Sequence, residues 1–316
     1  MLALSDKIII TGAAGLVGQN LVALLEESRF TNIIAIDKNP YNLNVLRTLH
    51  PGVETVLADL AEPGSWQECF QDGQLVILLH AQITGKTPDL FITNNVKATT
   101  NVLNTSKEYA IPFIIHVSSS AVNSVADNPY ANTKRVQEKL VRTCGIKHCI
   151  LRPTLMFGWF DPKHLGWLAR FMEKAPFFPI PGHGRYTRQP LYNKDFCRTI
   201  VACMERQPDG QVFDLVGPDE IRYIDIIKSI RKVKGLRTPL VPIPYRLFHV
   251  LLRVYALFSK NPPFTADQLE ALTAGDHFTG VDMEATFGVK PTPFEDAIWE
   301  TFCHTKYSNI VLPRDT

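Results

Sequence analysis

A glycine-rich segment at residues 11–18, TGAAGLVG, constrains the fold of this chain more than any other feature. A β-branched run precedes it at residues 7–11, and residues 16–26 then carry apolar side chains at helical spacing. A strand, a glycine turn and a helix in this order direct backbone N–H groups and the positive end of the helix toward one point, where a phosphate can approach closely. The segment therefore predicts a site for the pyrophosphate of a dinucleotide. The residues assigned to this site are Gly12, Ala14, Gly15, Leu16, Val17 and Gly18.

Short apolar runs recur along the first half of the chain. They contain few polar residues, as is typical of parallel strands covered on both faces, and the segments between them are long enough for helices. The runs lie at residues 32–36, 53–58, 75–79, 113–117 and 148–151. This alternation predicts an α/β fold with a doubly wound parallel sheet of the Rossmann type.

The composition changes after Pro153, where proline and aromatic residues become frequent. We predict a dinucleotide-binding domain at residues 1–152 and a smaller, mixed lobe at residues 153–316 that mainly binds substrate. One strand near residues 211–216 is expected to return to the sheet of the first domain.

Charge and cysteine content narrow the function classes. With 33 basic and 31 acidic side chains the formal net charge is +2, which favours a small-molecule partner over nucleic acid or a membrane. The six cysteines form no CxxC pair and have no histidine at metal-ligand spacing, which predicts buried thiols and no metal. The first ten residues resemble neither a signal sequence nor a membrane span, so we expect a cytoplasmic protein.

Carboxylates follow the second and third predicted strands. Asp37 lies about 20 residues beyond the glycine turn, where a carboxylate accepts hydrogen bonds from the adenosine ribose and repels a 2′-phosphate. This position favours NAD over NADP, although Lys38 could offset the repulsion, and Asp37 could instead cap the turn before Asn39. Asp59 and Leu60 either meet the adenine or simply end the third strand.

The fourth predicted strand ends at His80, Ala81 and Gln82. We place these three residues beside the cofactor, because small residues let the backbone run along it. For His80 a structural role is favoured over a catalytic one.

A tyrosine and a lysine lie one helical turn apart, at Tyr130 and Lys134. The i, i+4 spacing puts both side chains on one helix face. A phenol is a weak acid–base catalyst at neutral pH, since its ordinary pKa is about 10. We expect the Lys134 ammonium and a positive nicotinamide ring to lower the Tyr130 pKa. The serines at residues 118–120, after the fifth strand, can supply a hydroxyl to the same substrate oxygen.

The order of these features resembles that of the extended short-chain dehydrogenase/reductase family, which includes nucleotide-sugar epimerases, dehydratases and reductases. Besides the segments above, the resemblance rests on residues 95–103 (NVKATTNVL), 118–122 (SSSAV), 130–134 (YANTK), 151–153 (LRP), 157–158 (FG) and 188–195. It implies hydride transfer between a substrate carbon and the nicotinamide. Tyr130 would be the acid–base residue, and Lys134 its electrostatic partner that also holds the nicotinamide ribose.

The same resemblance implies roles for further positions. Ser119 would be the hydroxyl donor, with Ser120 as the alternative one residue away. Further cofactor contacts are assigned to Asn95, Val117 and Pro153. The resemblance also allows a homodimer formed through helices of the cofactor domain.

The chain departs from the nucleotide-sugar pattern in two places. Only ten residues separate Ser119 from Tyr130, which predicts a more open sugar pocket. Thr154 and Leu155, assigned to the substrate, follow Pro153 where those enzymes carry an asparagine two residues after the proline. In this respect the chain is similar to hydroxysteroid dehydrogenases and dihydroflavonol reductases, and to electron-transfer-complex subunits that bind a dinucleotide.

Two segments of the second lobe carry open alternatives. In residues 182–188 (GHGRYTR), Arg188 either binds a substrate phosphate or belongs to a solvated surface or an interlobe ion pair. The apolar helix predicted at residues 245–258 either covers a lipidic substrate, rests on a membrane surface or packs as a core helix of the small lobe. The core helix is favoured.

Three functions compete on this evidence. The leading one is an NAD-dependent epimerase, dehydratase or reductase acting on a nucleotide sugar. The second is an oxidoreductase of a hydrophobic alcohol or ketone, favoured by Leu155 and the aromatic residues of the second lobe. The third is a protein that binds the dinucleotide without catalysis.

Overall fold

A computed structural model describes residues 2–85, 87–123, 128–258, 269–270, 272–273 and 277–313 of the chain. Its centre is a parallel sheet of seven strands, flanked by helices on both faces. The strands of the described part are β1 (Lys7–Thr11), β2 (Ile33–Asp37), β3 (Glu54–Leu57), β4 (Gly73–Leu78), β5 (Phe113–Val117), β6 (Lys147–Pro153), β7 (Met156–Phe157), β8 (Phe178–Pro181), β9 (Thr187–Arg188), β10 (Leu191–Tyr192), β11 (Val212–Leu215), β12 (Ile221–Arg222) and β13 (Leu240–Ile243).

Helices connect these strands. The α-helices of the described part are α1 (Leu16–Glu27), α2 (Pro40–Leu49), α3 (Pro88–Phe91), α4 (Ala98–Glu108), α5 (Pro129–Thr143), α6 (Leu165–Lys174), α7 (Asn193–Arg206), α8 (Tyr223–Val233), α9 (Tyr245–Phe258), α10 (Met283–Phe287) and α11 (Phe294–Cys303). A π-helical turn at Ile92–Lys97 joins α3 to α4, and 3₁₀ turns lie at Ser65–Phe70 and Ser120–Asn123.

The strand order of the large sheet is β11-β6-β5-β4-β1-β2-β3. The order reverses between β1 and β4, and ligands of such sheets bind at the carboxyl ends of the strands beside this switch point. The parallel sheet with helices on both faces confirms the predicted Rossmann-type fold class. The predicted runs at residues 7–11 and 113–117 coincide with β1 and β5, and the other predicted strands differ from the observed ones by one or two residues at each end.

Side chains of β1 alternate between two apolar cores. Ile8 and Ile10 pack on one face of the sheet, among residues of α1 and α7, and Ile9 packs on the other, among residues of α4 and α5. All three are fully buried. Burial on both faces explains why the strand reads as an uninterrupted apolar run.

A third apolar cluster lies in the second lobe, which carries three two-stranded sheets: β7 with β10, β9 with β12, and β8 with β13. Leu165, Met172, Ile226 and Ile230 are among its buried members and come from α6 and α8. Edge strand β11 of the second half of the chain pairs with β6 in the large sheet.

Helix α9 differs from its prediction. The expectation of a core helix is wrong, since none of its residues from 245 to 254 is buried and several large apolar ones are exposed. Apolar composition indicates that the side chains of a helix are shielded from water, but it does not indicate whether other residues of the same chain shield them. Across the described residues, no helix is both long and apolar enough for a membrane crossing.

Candidate active site

The glycine turn between β1 and α1 is shaped by close backbone packing. Gly12 has a φ of +70°, and a Cβ on it would lie 2.5 Å from the backbone nitrogen of His80. A Cβ on Gly18 would lie 2.2 Å from the carbonyl oxygen of Ala13. By contrast, Gly15 would meet only the Gly12 carbonyl oxygen, at 3.4 Å. Gly12 and Gly18 therefore allow the turn to pack closely against neighbouring backbone, and Gly15 leaves the outer side of the turn open to a ligand.

This turn fits the pyrophosphate of a dinucleotide. Gly15 is the N-cap of α1, and no side chain caps the helix there, so the first N–H groups, including those of Leu16 and Val17, are available to an anion. The Asp37 carboxylate accepts hydrogen bonds from Ala14 N at 2.9 Å and, through its other oxygen, from Asn39 N at 2.8 Å. The end of β2 is thereby tied to the glycine turn.

The turn role predicted as the alternative for Asp37 is observed, since its carboxylate accepts the hydrogen bond from Asn39 N two residues further on. Asn39, and not Asp37, caps α2, because its side-chain oxygen accepts hydrogen bonds from the first N–H groups of that helix. Lys38 Nζ lies 3.6 Å from an Asp59 oxygen and donates to the Asn94 side chain at 2.6 Å. Leu60 is buried in the core, so only its main chain can face a ligand.

His80 is held between two threonines. Its Nδ1 lies 2.8 Å from Thr11 Oγ1 and its Nε2 lies 2.9 Å from Thr99 Oγ1. Desolvation, together with the nearby Lys134 charge, lowers the pKa of His80 to about 3. The ring is therefore neutral at physiological pH and braces the end of β4 against α4.

A pair of hydrogen bonds joins the cofactor edge to α5. Asn95 Oδ1 accepts a hydrogen bond from Gln82 N at 2.6 Å, and Asn95 Nδ2 donates to Thr133 Oγ1 at 3.0 Å. One turn further along both helices, Gln137 Nε2 donates to Thr99 Oγ1 at 2.7 Å. Asn95 lies in the π-helical turn, a distortion that is frequent at functional sites.

Tyr130 and Lys134 are positioned by the start of α5. Asn128 caps this helix by accepting a hydrogen bond from Ala131 N at 2.8 Å, which puts Tyr130 in the first turn. Lys134 is fully buried one turn later, and its Nζ donates to the carbonyl oxygen of Val117 at 2.8 Å. The lysine thus joins α5 to the carboxyl end of β5.

The serines after β5 lie at the same place. Ser119 forms a hydrogen bond with the Tyr130 hydroxyl, and Ser119 Oγ also accepts one from Ala121 N at 3.2 Å. Ser120 begins the 3₁₀ turn that follows. Of the two predicted hydroxyl donors, Ser119 is the one in contact with the tyrosine.

The electrostatics of this pair differ from the expectation. Desolvation raises the pKa of Tyr130 above its ordinary value, and the hydrogen bond with Ser119 opposes this only in part. Burial lowers the pKa of Lys134 to about 7, while the Glu138 carboxylate acts in the opposite direction. Lys134 is not among the groups that act on the Tyr130 pKa here, so a lowering by Lys134 together with a nicotinamide ring stays a prediction for the NAD-bound protein.

The ion pair between Glu138, one turn after Lys134 on α5, and Arg152 was not predicted from the sequence. Glu138 accepts two hydrogen bonds from Arg152, at 2.8 and 2.7 Å. Burial alone would raise the Glu138 pKa, but the Arg152 guanidinium keeps it below its ordinary value. The available signal was the second i, i+4 step from Lys134 to Glu138, on the same face of α5.

The predicted substrate residues lie where β6 passes into the second lobe. Thr154 is buried and donates from Oγ1 to the Gln189 carbonyl oxygen at 3.3 Å, beside the buried Pro153. Leu155 is half-buried and packs against the apolar cluster of the second lobe. The cofactor edge and the second lobe thus meet at consecutive residues of one strand end.

Arg188 lies on β9, opposite Ile221 on β12. Burial raises the pKa of the Tyr186 and Tyr223 hydroxyls, and the positive charge of Arg188 opposes that rise in both. The Tyr186 hydroxyl is buried and has no hydrogen-bond partner within the described residues. An arginine and an unsatisfied hydroxyl are therefore close together in this lobe.

Comparison with known proteins agrees with this architecture. Residues 8–215 match the model of the NAD dependent epimerase/dehydratase family. Subunit 9 of the NADH dehydrogenase [ubiquinone] 1 alpha subcomplex, a mitochondrial protein of Rattus norvegicus, is 25% identical over 299 residues, covering 90% of this chain and 77% of the relative. A ceramide reductase of Caulobacter vibrioides is 24% identical over 249 residues, covering 75% and 73%.

Solved structures match over nearly the whole chain. A UDP-glucose 4-epimerase of Thermotoga maritima, crystallised with UDP-glucose, superposes with a TM-score of 0.73 at 19% identity and covers 93% of this chain and 97% of that one. At this identity the likeness establishes the fold.

Proposed function

The chain belongs to the NAD dependent epimerase/dehydratase family, and on this basis we propose that it transfers a hydride between NAD and a nucleotide sugar, as an epimerase, dehydratase or reductase. One observation carries the proposal: Tyr130, with Ser119 acting on its hydroxyl, and the buried Lys134 lie one turn apart on α5, and Lys134 bonds to the carboxyl end of β5. Side chains that can move a proton thus lie at the edge of the sheet where the glycine turn and Asp37 accommodate a dinucleotide.

The residues of the chain supply the proton transfer. NAD, when bound, accepts or returns the hydride at its nicotinamide ring. Tyr130, with its raised pKa, holds its proton at neutral pH and is suited to donate it to a carbonyl oxygen of the substrate. Ser119 donates a second hydrogen bond to that oxygen. Lys134 holds the nicotinamide ribose and, in its charged form, favours the phenolate that remains after the proton has left.

A nucleotide sugar is favoured by the cation in the second lobe. Arg188 can form paired hydrogen bonds with a phosphate, and the unsatisfied Tyr186 hydroxyl can donate to the same group. The diphosphate would thus be bound on β9, and Thr154 and Leu155 would line the path to the sugar ring.

A second candidate is reduction or oxidation of a hydrophobic carbonyl or alcohol. Leu155 favours it, because this side chain packs into the apolar cluster of the second lobe at the position where nucleotide-sugar enzymes were expected to carry an asparagine. The proton transfer by Tyr130 would be the same for both substrates.

The test incubates the protein with NAD and a panel of UDP-, GDP- and dTDP-sugars, and follows both the sugar products and NADH. An isomerised sugar without net NADH identifies an epimerase, and net NADH identifies a dehydrogenase. Conversion of a hydrophobic ketone with NADH, and of no sugar nucleotide, would replace the leading proposal by the second candidate.

The Tyr130→Phe variant tests the assignment of the acid–base residue. We expect its turnover to fall by about 10²- to 10⁴-fold, with NADH binding nearly unchanged when measured by cofactor fluorescence. Tyr41→Phe, at a residue that is 74% exposed on α2, is the matched control. Undiminished turnover of Tyr130→Phe would refute the assignment, and NADH binding without conversion of any substrate would favour a non-catalytic protein.

A further inference from the structure

Helix α9 presents an apolar stripe to solvent. Four large apolar side chains are between 46% and 54% exposed: Leu247, Val250, Leu251 and Val254. Their spacing of three, one and three residues keeps them within an arc of about 100° on one side of the helix. The opposite side, which includes Phe248 and Leu252, is half-buried toward the lobe. The helix thus carries apolar side chains on both sides, and four of the aliphatic ones are directed outward.

The strand pair that leads into α9 extends this surface. In the register of β8 with β13, Val241 lies opposite Pro179, while Phe178 and Ile180 are buried on the other face. Alternation along β8 puts Phe177 on the same outer side as Pro179. Phe177 is 45% exposed and Val241 is 38% exposed. Exposed apolar side chains therefore lie on the strand pair as well as on the helix that follows it.

The sequence around α9 is rich in basic residues. From residue 228 to residue 266 the sequence contains eight lysines and arginines and no aspartate or glutamate, although the whole chain has 33 basic and 31 acidic side chains. On α9, Arg246 and Arg253 are exposed and lie two turns apart, at one border of the apolar stripe. His249, on the inner side, lies 3.4 Å from Glu270, outside this segment.

We propose that α9 and the adjoining strand pair bind the surface of a lipid bilayer that contains anionic lipids. Apolar side chains on one face and cations at its border are what an interfacial helix requires. With 14 residues α9 is about 21 Å long, shorter than the hydrocarbon core of about 30 Å, so it lies along the surface and does not cross it. The net charge of +2 led to the expectation of no membrane contact, because it averages the basic segment at residues 228–266 with the rest of the chain. The proposal reverses that expectation.

Charge also argues for lipid over a second copy of the chain. Two copies that covered each other's stripes would bring their cationic segments together without a carboxylate in either segment. Phosphate headgroups neutralise the same cations. The membrane surface is therefore the occupant that satisfies both the apolar stripe and its charged border.

The experiment is flotation of the full chain with vesicles of phosphatidylcholine, alone or mixed with phosphatidylglycerol. We expect the protein to float with the mixed vesicles, less so at high salt. The Leu247→Gln/Leu251→Gln variant should bind them at least about tenfold more weakly. The Arg246→Gln/Arg253→Gln variant should lose about fivefold for each charge removed, on mixed vesicles only.

Matched controls change equally exposed residues elsewhere. Leu4→Gln/Leu57→Gln removes two leucines of the first domain that are 48% and 58% exposed, and Lys107→Gln/Lys139→Gln removes two exposed cations from α4 and α5. Both should float like the wild type, and NADH binding by every variant reports an intact fold. Wild-type protein that fails to float, or a leucine variant of α9 that floats undiminished, overturns the proposal. So does a wild-type oligomer in sedimentation that the α9 leucine variant dissociates while neither protein floats.

Discussion

The carboxyl edge of the seven-stranded sheet and the second lobe differ in whether other residues of the chain bond to their polar groups and bury their apolar side chains. At the sheet edge, Asp37, His80 and Asn95 each bond to at least two other groups of the chain. In the second lobe the Tyr186 hydroxyl is buried without a partner in the described part of the chain, and the apolar stripe of α9 faces solvent. Asp37, His80 and Asn95 are thus held by the chain itself, whereas the described residues neither bond to the Tyr186 hydroxyl nor cover the α9 stripe.

This difference assigns different tasks to the two regions. A site whose side chains are held by one another binds its ligand without reorganisation, as suits a cofactor that the whole family shares. Groups left unsatisfied are where a chain acquires its own substrate and location. The identity of the substrate is therefore to be sought in the second lobe, beside the Tyr186 hydroxyl, and not around Tyr130.

The largest difference between the two regions is expected when one glycine in each is replaced by alanine. Gly12 and Gly182 have φ values of +70° and +59°, but a Cβ on Gly12 would overlap the His80 backbone, and a Cβ on Gly182 would meet nothing within 4 Å. We expect Gly12→Ala to lower the free energy of unfolding by at least about 3 kcal/mol and to abolish NADH binding. Gly182→Ala should cost about 1 kcal/mol, from the left-handed backbone alone. Urea denaturation and NADH fluorescence measure both effects.

Equal losses of stability in the two glycine variants would contradict this view. They would mean that the turn before α1 adapts as freely as the loop at residues 182–184, so that the packing of Gly12 against His80 does not fix the cofactor site.

The same contrast explains what the sequence could predict. Strands β1 and β5 were predicted with their observed ends because burial on both faces leaves an unbroken apolar run. The pairing of Asn95 with Thr133 spans 38 positions and leaves no local pattern. The exposure of α9 and the raised pKa of Tyr130 were missed for a related reason: both depend on which groups surround a residue, and composition or spacing does not report this.

A smaller effect is expected when Arg188, in the second lobe, is replaced. If Arg188 holds the substrate diphosphate, Arg188→Ala should raise the KM for the nucleotide sugar by about 10- to 100-fold, the equivalent of losing a charge-assisted hydrogen bond. NADH affinity should not change, since the proposed cofactor site is at the sheet edge. Steady-state kinetics with the substrate found in the panel provide the measurement.

Arg185→Ala is the matched control, because Arg185 is an exposed arginine three residues earlier in the same segment. Its KM should stay within about twofold of wild type, as for most exposed substitutions. If both variants raised KM alike, the general positive field of the segment, and not a contact made by Arg188, would account for the effect.

The last expected effect is a pH dependence of stability, which sharpens the comparison at the sheet edge. Burial lowers the Lys134 pKa from 10.5 to about 7, whereas an unfolded lysine keeps its ordinary value. Between these two values the unfolded chain binds more protons than the folded one, so the contribution of Lys134 to the free energy of unfolding rises with pH. The rise can reach at most about 1.4 kcal/mol per pH unit. His80, with a pKa of about 3, stays neutral across this window.

Lys134→Met should remove this component. The free energy of unfolding of the wild type relative to Lys134→Met, from urea denaturation at several pH values above about 7, should increase with pH. Lys139→Met removes an exposed lysine from the same helix and should give a difference that is flat with pH. A flat difference for Lys134→Met as well would show that the lysine remains charged when buried, as the expected lowering of the Tyr130 pKa by its ammonium requires.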